Sequence, residues 1–285
     1  MPFNWNTFRT RSLTAAIFVV VMFAGLLINQ WTFLILFSVI HFGCWWEYLK
    51  LVEKISHARF QKYLKLGLML IGYGLVLLLA GPAYKIGGHG LTQIALLPVS
   101  LVGFVLTVVG IFRHNHIDLK SFAGACLGFL YISLSLGLMI NMRDTVFPLF
   151  IPLVIIASMW VNDTMAYIIG SLIGRTPLSS ISPKKTWEGT IAGVVLCILT
   201  VGLLLQYVVN VPHEQQMSTY HFYILPAVAS ISGVFGDLLE SKLKRASGVK
   251  DSGHIMPGHG GFLDRFDSLL VATPFVWIYV YLFLK

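Results

Sequence analysis

A chain of 285 residues that is 56% hydrophobic and only 11% charged, with a mean hydropathy of +0.79, cannot present polar surface on all sides as a soluble globule. Its formal charge of +8 comes from basic residues dispersed between apolar runs, which argues against a nucleic acid partner. What is left is a polytopic integral membrane bundle, all-α because each span must satisfy its own backbone polar groups inside the bilayer.

In chain order, Arg9 and Arg11 precede an apolar run from Leu13 to Ile28. No small-residue cleavage site follows it and further spans come directly after, so it reads as an uncleaved first helix. Runs near 12–29, 31–49, 66–81, 91–112, 121–141, 147–172, 189–210, 221–240 and 268–284 are each long enough to cross a bilayer, predicting about nine transmembrane helices. With the N-terminus on the cytoplasmic side, 17 of the 20 Lys and Arg residues fall in inner segments and only Lys85, Arg143 and Lys285 fall outside, the asymmetry expected of cytoplasmic loops. Loops are short, so no separate soluble domain is expected, and no internal repeat is visible. Residues 1–145 read as a scaffold of lipid-facing helices with room for oligomer contacts, and 146–285 as the half that carries the chemistry.

Gly124 and Gly128, Gly170 and Gly174, and Gly189 and Gly193 are small-residue pairs that let helices approach closely, within one chain or at a homodimer seam. Pro148, Pro152 and Pro226 predict kinks or breaks. Cys44, Cys126 and Cys197 lie inside apolar runs without metal-ligand spacing and read as small core residues. Seven histidines (His41, His57, His89, His114, His116, His213 and His221) show no ligand spacing. Trp31 and Tyr281, at span ends, read as interfacial anchors.

Charge gathers late in the chain. Asp163 sits inside an apolar run, and an acid at membrane depth marks a buried ion pair or a contact to cation or substrate. Asp237, with Gly233 and Gly236 leaving space beside it, opens a segment rich in Lys, Arg and carboxylate that ends in Asp264-Arg265-Phe266-Asp267-Ser268 after a glycine-rich turn. Two carboxylates with room for water and phosphate oxygens suit Mg2+, which rarely accepts a full protein cage, so Asp237 and Asp264 are expected to hold it, a second monovalent or divalent cation being left open. Glu240 lies four residues before Lys244, the favourable order for an ordinary helix ion pair, so a structural role stands equally open for it.

The ordered run Ser241-Lys-Leu-Lys-Arg, Lys250-Asp251, Pro257-Gly-His-Gly-Gly and Asp264-Arg265-x-Asp267 resembles the signature of the phosphatidate cytidylyltransferases, or CDP-diacylglycerol synthases. So does Trp160-x2-Asp163-Thr-x-Ala-Tyr167-x2-Gly170-x3-Gly174-Arg175 followed by Ser182-Pro-Lys184-Lys185-Thr186-Trp187-Glu188-Gly189. The resemblance covers roughly residues 160 to 268; in the N-terminal half only hydropathy speaks.

The resemblance implies that CTP and phosphatidate give CDP-diacylglycerol and pyrophosphate, and the Lys/Arg count puts the motif at the cytoplasmic side of the cell (inner) membrane. The nucleophile is a phosphate monoester, already anionic, so the difficulty is its repulsion from the triphosphate, which cations relieve. Asp237, Asp264, Lys250 and His259 are the expected catalytic residues. Asp163, Ser182, Lys184, Lys185, Thr186, Ser241, Lys244, Arg245, Gly260, Gly261 and Arg265 are the expected substrate contacts. A CTP-dependent lipid or polyprenol kinase differs in the phosphorus attacked and would release CDP. A secondary transporter would also bury acids but leaves the dense Lys/Arg/Gly/Asp segment unexplained, and a non-catalytic scaffold would tolerate loss of Asp264. No Asp-Gly-x2-Ala-Arg run points to a CDP-alcohol phosphotransferase.

Overall fold

The computed structural model describes residues 5–113, 118–143, 149–208, 218–253 and 260–284. Helices α1 (Trp5–Leu27), α2 (Gln30–Ser56) and α3 (Lys62–Leu79) lead into a short hairpin of β1 (Lys85–Ile86) and β2 (His89–Gly90). Then come α4 (Leu91–Phe112), α5 (Leu119–Cys126), a π-helical turn over Phe129–Leu134, and α6 (Ser135–Met142). Helices α7 (Phe150–Ile173), α8 (Trp187–Val208), α9 (His221–Ala246) and α10 (Leu263–Phe283) complete the chain. Among the described residues eight helical segments are long and apolar enough to span a membrane, counting Leu119–Met142 as one, and the apolar stretch of α1, Leu13–Leu27, is shorter. The all-helical membrane bundle expected from composition is what forms.

Local chemistry sets the ends of these elements. Asn29 caps α2, its side-chain oxygen accepting from Trp31 N (2.8 Å) and Thr32 N (2.9 Å) while Thr32 Oγ1 accepts from Asn29 N. The hairpin turns on Gly87 and Gly88, with φ of 58° and 84°, the positive pair a two-residue turn demands. Two helices outrun their apolar cores: α9 continues through Lys242, Lys244 and Arg245, and α10 begins at Leu263 rather than near 268. Hydropathy marks the greasy part of a span, not the charged turns that extend it.

The chain forms two compact units, one of Met1–Asp144 with Leu243–Phe266, the other of Thr145–Lys242 with Asp267–Lys285. In the first, the core collects Phe33, Phe37, Trp45, Leu49, Leu64, Leu68, Leu136 and Met139. Its π-helical turn presents Ser133 Oγ to Trp45 Nε1 (2.8 Å) and His41 Nε2 (3.0 Å), which gives two buried polar rings of α2 a partner. Gly128 faces the Trp45 ring so closely that a Cβ there would lie 2.7 Å from it.

In the second unit the core is built on Ile151, Ile155, Cys197, Leu225, Ala229, Ala272 and Val276. A Cβ on Gly189 would come within 2.7 Å of Ala166 O, and one on Gly193 within 2.8 Å of Ala166 Cβ. The glycine pairs thus serve close packing inside the chain, the first of the two uses the sequence suggested. Cys44 and Cys197 are buried and Cys126 partly so, and none of the three is in a disulfide among the described residues. Helix α9 runs on through Pro226, and Pro152 is the third residue of α7, where its missing N–H costs nothing. Pro148 lies outside the described residues.

Candidate functional site

In the first unit the chemistry is built around Asp264, in the opening turn of α10. Its Oδ1 takes a 2.8 Å ion pair from Lys244 Nζ on α9. Its Oδ2 accepts from Ser252 N (2.9 Å) and Gly261 N (2.8 Å) and lies 2.9 Å from Ser252 Oγ. Gly260, at φ +85°, makes the turn, and a Cβ there would lie 2.7 Å from Asp264 Oδ2. Glycine is needed at 260 for both reasons.

Beneath this turn lies an acid that no motif flagged. Glu47 on α2 is 1% exposed. Its carboxylate accepts from Phe262 N (3.0 Å), Leu263 N (2.9 Å) and Ser252 Oγ (2.7 Å). Two of those donors are N–H groups at the start of α10, so a side chain from a distant helix caps this terminus. The signal that singled out Asp163, an acid inside an apolar run, was present at Glu47 too, between Trp45, Trp46, Tyr48 and Leu49.

The second unit holds a cavity of about 410 Å³ lined by Asp163, Lys184, Lys185, Thr186 and Asp237, together with Asn162 and Tyr167. Five residues flagged from sequence, spread over Asp163 to Asp237, therefore meet on one surface. Lys185 Nζ is 2.5 Å from Asp237 Oδ2. The loop that carries the lysines is shaped by Leu178 N to Lys185 O (2.8 Å) and Trp187 N to Thr176 O (2.9 Å). At its end Thr186 Oγ1 accepts from Gly189 N (3.2 Å), capping α8, while Glu188 reaches back to Arg175 N and Thr176 N. Asn162 is buried, and among the described residues no donor reaches its Oδ1, an additional polar group that sequence reasoning passed over.

Of the remaining expectations, Ser182 belongs to the same loop but not to the cavity lining. Ser241 is buried on α9, while Arg245, Lys250 and Arg265 are exposed. Glu240 and Asp267 are both buried, and Asp267 accepts from Ser268 N (2.6 Å). His259, with Pro257 and Gly258, lies outside the described residues. His41 and His221 serve structure, the latter through a 2.5 Å contact from Nδ1 to Tyr279 Oη.

The donor chemistry suits a hard cation. Asp237 and Asp264 each offer carboxylate oxygen and each already faces an ammonium group, so positive charge is stabilised beside both. Among the described residues no three His, Cys, Asp or Glu side chains gather around one point.

Comparison with known proteins gives the family. The chain is 33% identical over 273 residues to a phosphatidate cytidylyltransferase of Staphylococcus saprophyticus, an overlap of 93% of this chain and 96% of that one. It is 48% identical over 124 residues to the chloroplastic phosphatidate cytidylyltransferase 4 of Arabidopsis thaliana, and 43% over 136 residues to the phosphatidate cytidylyltransferase of Synechocystis. Those two overlaps span only 30% and 45% of the relatives' lengths, and 44% and 48% of this chain. The sequence profile described as the Cytidylyltransferase family matches residues 9–283, nearly the whole chain, and to that family the chain belongs.

Proposed function

We propose that this protein is a phosphatidate cytidylyltransferase: CTP and phosphatidate give CDP-diacylglycerol and pyrophosphate. The observation that carries the reading is the convergence of Asp163, Lys184, Lys185, Thr186 and Asp237 on one cavity in a chain of this family. A phosphate oxygen of phosphatidate attacks the α-phosphorus of CTP, the new P–O bond forms as the bond to the pyrophosphate oxygen breaks, and pyrophosphate leaves with that electron pair. The attacking group is already an anion, so no strong base is called for. What the chain must supply is positive charge and alignment between two polyanions.

Lys184 and Lys185 supply positive charge at the cavity. Lys244 and the exposed Arg245, Lys250 and Arg265 are the further candidates for phosphate oxygens, Arg being suited to gripping two at once. Ser182, Ser241, Gly260 and Gly261 are assigned to substrate contacts, and His259 to donating a hydrogen bond or proton to a phosphate. Asp237 and Asp264 are the residues that would hold Mg2+, which when bound neutralises phosphate charge. The reaction side is assigned to the cytoplasmic face of the cell membrane, because the Lys/Arg distribution favours it and CTP is there.

Purified protein in detergent, given phosphatidate, Mg2+ and CTP labelled at the α-phosphate, should move the label into lipid and release pyrophosphate. Label leaving as CDP would turn the reading to a lipid kinase, and no nucleotide turnover at all would overturn it. For the membrane side, a thiol introduced at Lys184 in a cysteine-free variant should react with an impermeant maleimide only after inverted vesicles expose the inner face.

A further inference from the structure

We infer that Glu47, far from the signature in sequence, is the positioning residue that holds Asp264 in register. The inference rests on the proposed transferase reading. Glu47 Oε1 receives Phe262 N and Oε2 receives both Leu263 N and Ser252 Oγ. The backbone on both sides of the turn is shaped to admit that carboxylate: a Cβ on Gly253 would lie 2.1 Å from Oε1, and one on Gly261 2.2 Å from Oε2. On α2, one turn before Glu47, Gly43 leaves room for the Phe262 ring, which a Cβ would meet at 2.4 Å. Residues 252, 253, 261, 262 and 263 are thus all fitted to one buried anion.

The link to Asp264 runs through Ser252. Ser252 Oγ lies 2.7 Å from Glu47 Oε2 and 2.9 Å from Asp264 Oδ2, and a hydroxyl has one hydrogen to give. The shorter contact assigns it to Glu47. Asp264 Oδ2 is then held by the N–H groups of Ser252 and Gly261, whose places are set by the groups that clasp Glu47. Two carboxylates can meet at one hydroxyl because each has its own positive counterpart, Lys244 for Asp264 and the α10 N-terminus for Glu47. Glu47 touches no reacting atom; it acts through Ser252, Gly261 and Leu263.

Replacing Glu47 by Gln tests this with almost no change of volume. The amide has one acceptor oxygen, so its NH2 must face an N–H or O–H wherever it points. With the wild type first shown to make CDP-diacylglycerol, Glu47→Gln should lower kcat by roughly 10- to 100-fold, the range seen when a group supporting a metal ligand is lost. The Mg2+ concentration for half-maximal rate should rise several-fold, and Glu47→Gln should cost little more once Asp264 is already Asn, because the two act as a unit. Should Glu47→Gln fail to fold, Ser252→Ala, which removes only the bridging hydroxyl, should still raise the Mg2+ requirement. A lowered Tm with normal kcat and Mg2+ dependence, or full additivity with Asp264→Asn, would overturn the inference. A wild type that makes no CDP-diacylglycerol would instead overturn the transferase reading.

Discussion

The two aspartate–lysine pairs share a chemistry and differ in setting. In Lys244–Asp264 the acid is 9% exposed and its second oxygen is wrapped by the Ser252 and Gly261 backbone. In Lys185–Asp237 the acid is 23% exposed on the wall of an open cavity, and among the described residues its ion partner is Lys185, itself 36% exposed on a loop. A carboxylate fastened by backbone donors keeps its direction whatever arrives, whereas one held by a single flexible lysine can exchange that lysine for a ligand. The first pair defines a fixed point and the second is free to respond.

The largest effect should be common to both. Asp264→Asn and Asp237→Asn should each lower lipid-linked nucleotide formation by at least about a hundredfold, the scale of a lost transition-state contact, read with labelled CTP. Near-normal turnover in both would remove the proposed cation assignment. Stability should then separate them. Asp264→Asn leaves one acceptor oxygen where Lys244 and two backbone donors needed two, and should cost about 2–3 kcal/mol in thermal unfolding. Asp237→Asn, with a half-exposed partner, should stay within about 1 kcal/mol. Equal losses would break the contrast between fixed and responsive acids.

Smaller changes sharpen it. Lys185→Ala should raise KM for CTP or phosphatidate about tenfold, the loss of one charge-assisted hydrogen bond, while leaving Tm nearly unchanged. Lys244→Ala should lower Tm as well, because Asp264 loses its counter-charge. Smallest, Thr186→Ala removes the α8 cap and should cost about 1 kcal/mol, visible as a modest fall in Tm. A fall as large as that of Asp264→Asn would mean that the lysine loop is as tightly built as the glycine turn.

The helical spans could be read from sequence because long apolar runs have few other uses. The hairpin and the π-helical turn could not: strands of two residues and one extra residue in a turn leave no periodic trace. The cavity residues were legible for a different reason: Asp163 and Asp237 are acids in or beside apolar runs, and Lys184, Lys185 and Thr186 lie in a run that resembles the cytidylyltransferase signature. Asp264 and Gly260 were legible in the same way. Ser252 lay between flagged neighbours and was passed over, and Glu47 was hidden by distance, 205 residues from Ser252 and 216 from Leu263. Nothing local to α2 announces which backbone a lone acid will meet.

That separation bears on how the protein comes into being. Helix α2 leaves the ribosome long before α10, so for most of synthesis Glu47 has only water or lipid headgroups to satisfy its charge. The donors that quench it arrive with α10 and the segment just before it, next to the groups that orient Asp264. Synthesis of α10 and the ordering of this turn are thus one event, and a nascent bundle halted before α10 leaves Glu47 without those N–H groups.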